Sequence, residues 1–194
     1  MKFKCVLYTW DEIRKLCREL ALKVRESGYS PDVVVAIARG GWVPARIVCD
    51  YLDIRDLYSV KAEHWDVAQR REEARITQPL NVDVSGKRVL IVDDVADTGD
   101  TISVVVEHVS KYNPAEIRVA VVDYKSTSKF VPDYYAARME AWRWIVYPWS
   151  IKEELRELIE KTNAKTVDEA VKALKEEFDL EVDEELVRDV LTDC

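Results

Sequence analysis

The sequence predicts an α/β fold: a single domain built on a parallel sheet with helices on both faces and a small antiparallel hood, followed by a helical C-terminal extension. Three patterns carry that prediction. Residues 33–38 and 89–92 are short apolar runs without polar alternation, as strands covered on both faces require, and residues 117–122 read as a further strand. Segments of helical periodicity separate them, so strand–helix–strand units recur. From residue 151 the helical periodicity continues with no strand between, which divides the chain into a sheet domain, 1–150, and an extension, 151–194.

The elements follow in order. Residues 2–8 read as a short strand. Thr9 with Glu12 three residues on is a capping box, and the helix behind it places Ile13, Leu16, Cys17, Leu20 and Val24 on one face before Gly28 stops it. Residues 33–38 form a strand, Arg39-Gly40-Gly41 a loop, 43–51 a helix and 57–62 a further strand. Residues 63–79 are charged, lack a clear period and end at Pro79, so they read as a mobile loop. After the strand 89–92 an amphipathic helix with Ile102, Val105, Val106 and Val109 runs to Asn113-Pro114. A strand at 117–122 and short strands near 134–136 and 144–146 complete the body. In the extension, Ile151, Leu155, Leu158 and Ile159 share one helix face, and Val167, Ala170, Val171, Leu174 and Phe178 another behind the Thr166–Glu169 capping box. Leu186, Val187, Val190 and Leu191 mark a third helix.

Residues 89–101, Val-Leu-Ile-Val-Asp-Asp-Val-Ala-Asp-Thr-Gly-Asp-Thr, carry the chemistry. Two carboxylates, Asp93 and Asp94, end a buried strand; Asp97 precedes Thr98-Gly99-Asp100-Thr101, and a helix opens there. Ligands of open α/β sheets bind at that end of the strands. A helix N-terminus of small residues offers free N–H groups and a positive dipole end to a phosphate, while the acids suit ribose hydroxyls or a magnesium ion held with them. Ala38-Arg39-Gly40-Gly41 likewise follows a buried strand, where paired glycines let N–H groups approach an anion and Arg39 adds fixed positive charge.

Residues 89–101 resemble the 5-phosphoribosyl 1-diphosphate (PRPP) motif of type I phosphoribosyltransferases: apolar residues, two acids, two variable residues, Asp-Thr-Gly, one residue, then Thr. Arg39-Gly40-Gly41-Trp42-Val43-Pro44 resembles the diphosphate loop of the xanthine-guanine branch, and Trp144-Ile145-x-x-Pro148-Trp149 its base-binding segment. The resemblance covers about residues 30–150 and implies transfer of the phosphoribosyl group from PRPP to N9 of a 6-oxopurine (hypoxanthine, guanine or xanthine) with Mg2+ as cofactor. It implies PRPP contacts from Asp93, Asp94, Val95, Ala96, Asp97, Thr98, Gly99, Asp100 and Thr101, and diphosphate contacts from Ala38, Arg39, Gly40 and Gly41 across a cis Ala38–Arg39 peptide. Asp97 would manage the proton at purine N7, Lys125 would donate to O6, Trp144 would stack on the base and the Ile145 backbone would read its 2-position. Mg2+ would come with PRPP, near Asp93 and Asp94. The family closes a Ser-Tyr loop over PRPP; this chain departs from it, with His64-Trp65 as the nearest equivalent and Arg70-Arg71 nearby. The family also implies a homodimer or homotetramer. An adenine-specific enzyme, and a PRPP-sensing regulator without catalysis, are the alternatives.

Charge excludes other classes. The net −8 lies wholly in residues 151–194, which hold 15 acids against 7 bases; the other 150 residues hold 22 of each. Neither part has the basic face a nucleic-acid partner needs. No apolar run approaches a membrane span, and the N-terminus lacks a signal-peptide pattern, so a cytoplasmic protein with no membrane partner is expected. Cys5, Cys17 and Cys49 read as core residues and Cys194 as a tail thiol, with no spacing for a metal site. His108 reads as structural.

Overall fold

A computed structural model describes residues 3–67 and 71–192, and the side chains of these except for 64–67 and 71–73. In chain order the elements are β1 (Cys5–Leu7), α1 (Trp10–Glu26), β2 (Val33–Ala38), α2 (Trp42–Leu52), β3 (Leu57–Val67), β4 (Arg71–Gln78), β5 (Arg88–Ala96), α3 (Asp100–Ser110), β6 (Glu116–Lys125), β7 (Tyr134–Met139), β8 (Trp144–Val146), α4 (Ile151–Thr162), α5 (Val167–Phe178) and α6 (Glu184–Thr192). They group into two compact units, one of residues 13–141 and one of residues 1–12 with 142–194.

The larger unit is a six-stranded sheet of order β4-β3-β2-β5-β6-β7. β2, β3, β5, β6 and β7 pair in parallel; helices join β2 to β3 and β5 to β6, and residues 126–133 join β6 to β7 without one. Every residue of β2 is buried. On one face Val33, Val35, Ile37, Val89, Ile91, Val119 and Val121 pack with Ile102, Val105 and Val109 of α3. The alternate residues Val34, Ala36, Leu90, Val92, Ala120 and Val122 are buried too, as are Ala45, Val48 and Cys49 of α2. The chain leaves β2 through α2 towards β3 on one side, and leaves β5 through α3 towards β6 on the other. The β2/β5 boundary is therefore the point where strand order reverses, and the loops after both strands open there.

Of residues 63–79, expected as a mobile loop, 63–67 instead continue β3 and pair antiparallel with 71–75 of β4. Beyond Lys61 the strand pairs with β4 and no longer with β2, so one apolar stripe facing a core is not required and the period-2 signal is absent. The side chains of His64, Trp65 and Arg71, and all of Arg70, lie outside the described residues. The antiparallel addition is thus at the β3 edge; β7 is parallel.

In the smaller unit β1 and β8 form a two-stranded sheet, Val6 opposite Ile145. It is parallel, correcting the antiparallel hood expected from short neighbouring strands. Its strands come from distant parts of the chain, so no hairpin dictates their sense. Helices α4, α5 and α6 carry its core: Leu155, Leu158, Ile159, Ala170, Leu174, Phe178, Val187 and Val190 are buried together with Cys5 and Val146. The Thr166 hydroxyl accepts the Glu169 N–H at 3.3 Å, the predicted cap of α5. Cys5, Cys17 and Cys49 are buried free thiols; Cys194 lies outside the described residues. Among the described residues no helix is long and apolar enough to cross a membrane.

Candidate active site

The site is built on the carboxyl ends of β2 and β5. At the end of β2 the Ala38–Arg39 peptide is cis, as the resemblance implies. The Gly41 N–H donates to the Ile37 carbonyl at 2.8 Å and the Gly41 carbonyl accepts the Ala45 N–H at 2.9 Å, so the loop is tied to strand and helix at once. A Cβ on Gly40 would overlap the Asp94 carboxylate, and one on Gly41 would overlap the Val92 carbonyl. Both glycines are thus required by close approach of this loop to β5. Arg39 is exposed.

At the end of β5 the two acids differ in surroundings. Asp93 is 7% exposed and its Oδ1 accepts the Asp94 N–H at 3.0 Å. Asp94 Oδ1 accepts the Val95 N–H at 2.8 Å. Burial pushes the Asp93 carboxyl well above the usual range, with the Asp94 charge adding to it. Burial likewise raises Asp94, to about 6, against the lowering effect of the Val95 and Asp93 hydrogen bonds, while Asp123 raises it further. Two adjacent carboxylates, one buried and one half-buried, both with elevated pKa, form a site that gains from a hydroxyl or cation partner.

A cavity of about 280 Å3 runs along residues 93–102, with Asp93, Asp94, Asp97, Thr98, Gly99 and Thr101 on its wall. Ala96 is not part of that wall: its side chain is fully buried in the sheet core. Gly99 caps α3 with φ +88°, which a side chain would resist. Below it, Ser103 N–H and Oγ both donate to the Gly99 carbonyl, at 3.0 and 2.8 Å. The turn at 98–101 therefore leads into the first turn of α3, the arrangement that holds phosphate oxygens.

Lys125, at the end of β6, is 4% exposed, and its Nζ donates to Asp97 Oδ2 at 2.7 Å. This pairing was not legible in the sequence, where the two residues lie 28 apart. The loop after Lys125 was missed as well. Its Lys129 N–H donates to the Thr98 carbonyl at 2.9 Å, and a Cβ on Gly99 would meet Phe130 at 2.6 Å and Ser128 Oγ at 2.8 Å. Residues 128–130 thus brace the turn at 98–101. Nothing in their sequence signals it.

The remaining predicted residues lie in the smaller unit. Ile145 is buried in β8. Trp144 is half-buried, its indole N–H donates to Glu154 at 2.6 Å, and its ring lies 6.1 Å from that of Phe3. Among the described residues no group of three or more His, Cys, Asp or Glu side chains is placed to chelate a metal.

Residues 7–154 match the model of the phosphoribosyl transferase domain. The chain belongs to the phosphoribosyltransferase family. A xanthine-guanine phosphoribosyltransferase of Ruegeria sp. strain TM1040 is 35% identical over 154 residues, covering 74% of this chain and 84% of that protein. Among solved structures, a purine phosphoribosyltransferase from Pyrococcus horikoshii is 40% identical with a TM-score of 0.68, covering 75% of this chain and 93% of the other. A hypothetical protein from Neisseria gonorrhoeae with bound ppGpp is 33% identical with a TM-score of 0.69, covering 80% and 96%. The matched region takes in the sheet and both motif loops and ends near the start of α4.

Proposed function

We propose that this phosphoribosyltransferase serves purine salvage, joining PRPP to N9 of a 6-oxopurine and releasing diphosphate. The observation that carries the base assignment is the Lys125–Asp97 pair. An ammonium donor and a carboxylate acceptor 2.7 Å apart match the adjacent O6 and N7–H of a 6-oxopurine. Adenine presents an amino donor where Lys125 needs an acceptor, so the same pair rejects it. The purine enzymes among the relatives support this reading.

In this reading the turn Thr98–Thr101 cradles the 5-phosphate with its N–H groups, and Ala38–Gly41 with Arg39 holds the diphosphate. Asp93 and Asp94 take the ribose hydroxyls and place negative potential near C1, where oxocarbenium-like charge develops. Asp97 accepts the N7 proton as N9 attacks C1 and the C1–diphosphate bond breaks; Lys125 holds O6 meanwhile. The roles of Trp144 and Ile145 towards the base rest on the family's sequence pattern. The donor set fits Mg2+ carried by substrate rather than caged by protein: two carboxylates beside a ribose-diphosphate site, with no third ligand group at hand among the described residues. Bound there, Mg2+ would neutralise charge on the leaving diphosphate.

The test mixes purified protein with PRPP and Mg2+ and offers hypoxanthine, guanine, xanthine and adenine in turn. Monophosphate from the oxopurines and not from adenine is the expected result. Turnover of adenine alone overturns the reading of Lys125, and tight PRPP binding without turnover of any base overturns catalysis.

A further inference from the structure

The helical unit holds a second cavity, of about 300 Å3, bounded by α4, the turn after it and α6. All of its lining residues lie beyond residue 154, where the family match ends. One side is apolar: Ile159, Val190 and Leu191 present hydrocarbon to it. Ile159 and Val190 are buried residues of the unit's core, so this wall is fixed. The lining also carries Arg156 and Lys165, the amide of Asn163 and the single carboxylate of Glu160.

Arg156 is the informative residue. The residue is half-buried, and its Nε is buried with no hydrogen-bond partner among the described residues. Buried donors are nearly always satisfied in folded chains, and a guanidinium cannot shed its proton to escape the problem. The buried Nε–H calls for an acceptor from outside the chain. The guanidinium's planar fork matches a carboxylate through two parallel N–H···O bonds. An inorganic or sugar phosphate is a poorer match, because Ile159, Val190 and Leu191 line the cavity with hydrocarbon and Glu160 repels a dianion. The volume lies at the small end of ligand pockets, which suits an apolar body of roughly four to seven carbons.

We propose that this cavity binds a small monocarboxylate with an apolar body. The carboxylate sits on Arg156 with Lys165 beside it, and the body lies against Ile159, Val190 and Leu191. Two sources share this chemistry, a simple aliphatic or aryl acid and an apolar amino acid whose ammonium would meet Glu160. The site is independent of the phosphoribosyl transfer proposed above.

The experiment is calorimetric titration of the full chain with 4-methylpentanoate and with L-leucine; 4-methylpentan-1-ol and inorganic phosphate are the controls. Saturable binding of at least one acid with Kd of about 1 mM or tighter is expected, with none for the controls. Preference for leucine identifies the amino acid as the source, and preference for 4-methylpentanoate the simple acid. Arg156→Gln weakens binding by roughly 10-fold or more, as loss of a charge-assisted pair requires. Ala164→Phe, which fills the cavity and leaves Arg156 in place, does the same, so the proposal survives a folding failure of either variant. Absence of saturable binding by both acids overturns it. So does binding that both folded variants retain, or phosphate binding as tightly as the acids.

Discussion

Asp97 and Asp94 show how much a single position carries. Asp97 is 38% exposed, paired with a buried lysine and on the cavity wall, which suits a group that must exchange a proton with a ligand. Asp97→Asn keeps the shape and removes the base, so turnover should fall by roughly 10²-fold or more while PRPP affinity stays close to wild type. Steady-state rates beside PRPP titrations check this, and unchanged turnover would remove Asp97 from the proton transfer. Asp94 carries a cost instead. Its folded pKa, about 6, lies above the ordinary 3.8, so between those values the folded chain binds more protons than the unfolded one. Its stabilising contribution is therefore present below pH 3.8 and lost as pH rises through about 6. Asp94→Asn should stabilise the ligand-free protein by roughly 1–3 kcal/mol at pH 8, a gain that shrinks towards pH 4, and should abolish transfer. Urea denaturation at the two pH values measures it; equal stability of the two proteins at pH 8 would show that the carboxylate is not strained.

At the scale of elements, the parallel strands were legible because burial on both faces leaves an uninterrupted apolar run, as in Val33–Ala38. The turn at 98–101 was legible because Thr98-Gly99-Asp100-Thr101 opens an amphipathic helix. The β3–β4 ribbon was not, because past Lys61 it pairs outside the parallel sheet and its sequence follows charge rather than a period. The loop at 128–130 was not either, since bracing is a tertiary contact that leaves no local pattern. That brace has a consequence for Gly99. A methyl group there would meet both the positive φ and the backbone of Phe130 at 2.6 Å. Gly99→Ala should therefore cost roughly 1–3 kcal/mol and weaken PRPP binding by about 10-fold or more, because the turn must shift to accommodate it. A fluorescence-detected denaturation curve with a PRPP titration tests both. Wild-type affinity in a folded Gly99→Ala protein would mean that residues 98–101 are not held where the phosphate needs them.

For the whole molecule, the grouping of the chain is the feature that sequence could not supply. The three helices of 151–192 were legible from their stripes, yet those stripes do not say what they bury. The structure answers that they bury one another, together with Cys5 of β1 and Val146 of β8. Such pairing of chain segments far apart in sequence has no local signature. It also explains how an acidic tail of net charge −8 can be ordered: its charges occupy the outward helix faces, while the Lys4–Asp179 pair at 3.0 Å ties the segment before β1 to the C-cap of α5. Such an exposed pair contributes little, so the apolar core must hold the unit. Leu174 is fully buried in it. Leu174→Ala should cost about 2–5 kcal/mol, the usual penalty for a cavity of that size. Trp10, Trp142, Trp144 and Trp149 all belong to this unit, so its unfolding in urea dominates the tryptophan signal. The midpoint should fall while PRPP affinity in buffer is unchanged, since residues 93–101 belong to the other unit. An unmoved midpoint would show that Leu174 does not lie in a cooperative core, and lost PRPP affinity would show that the phosphate turn depends on the helical unit.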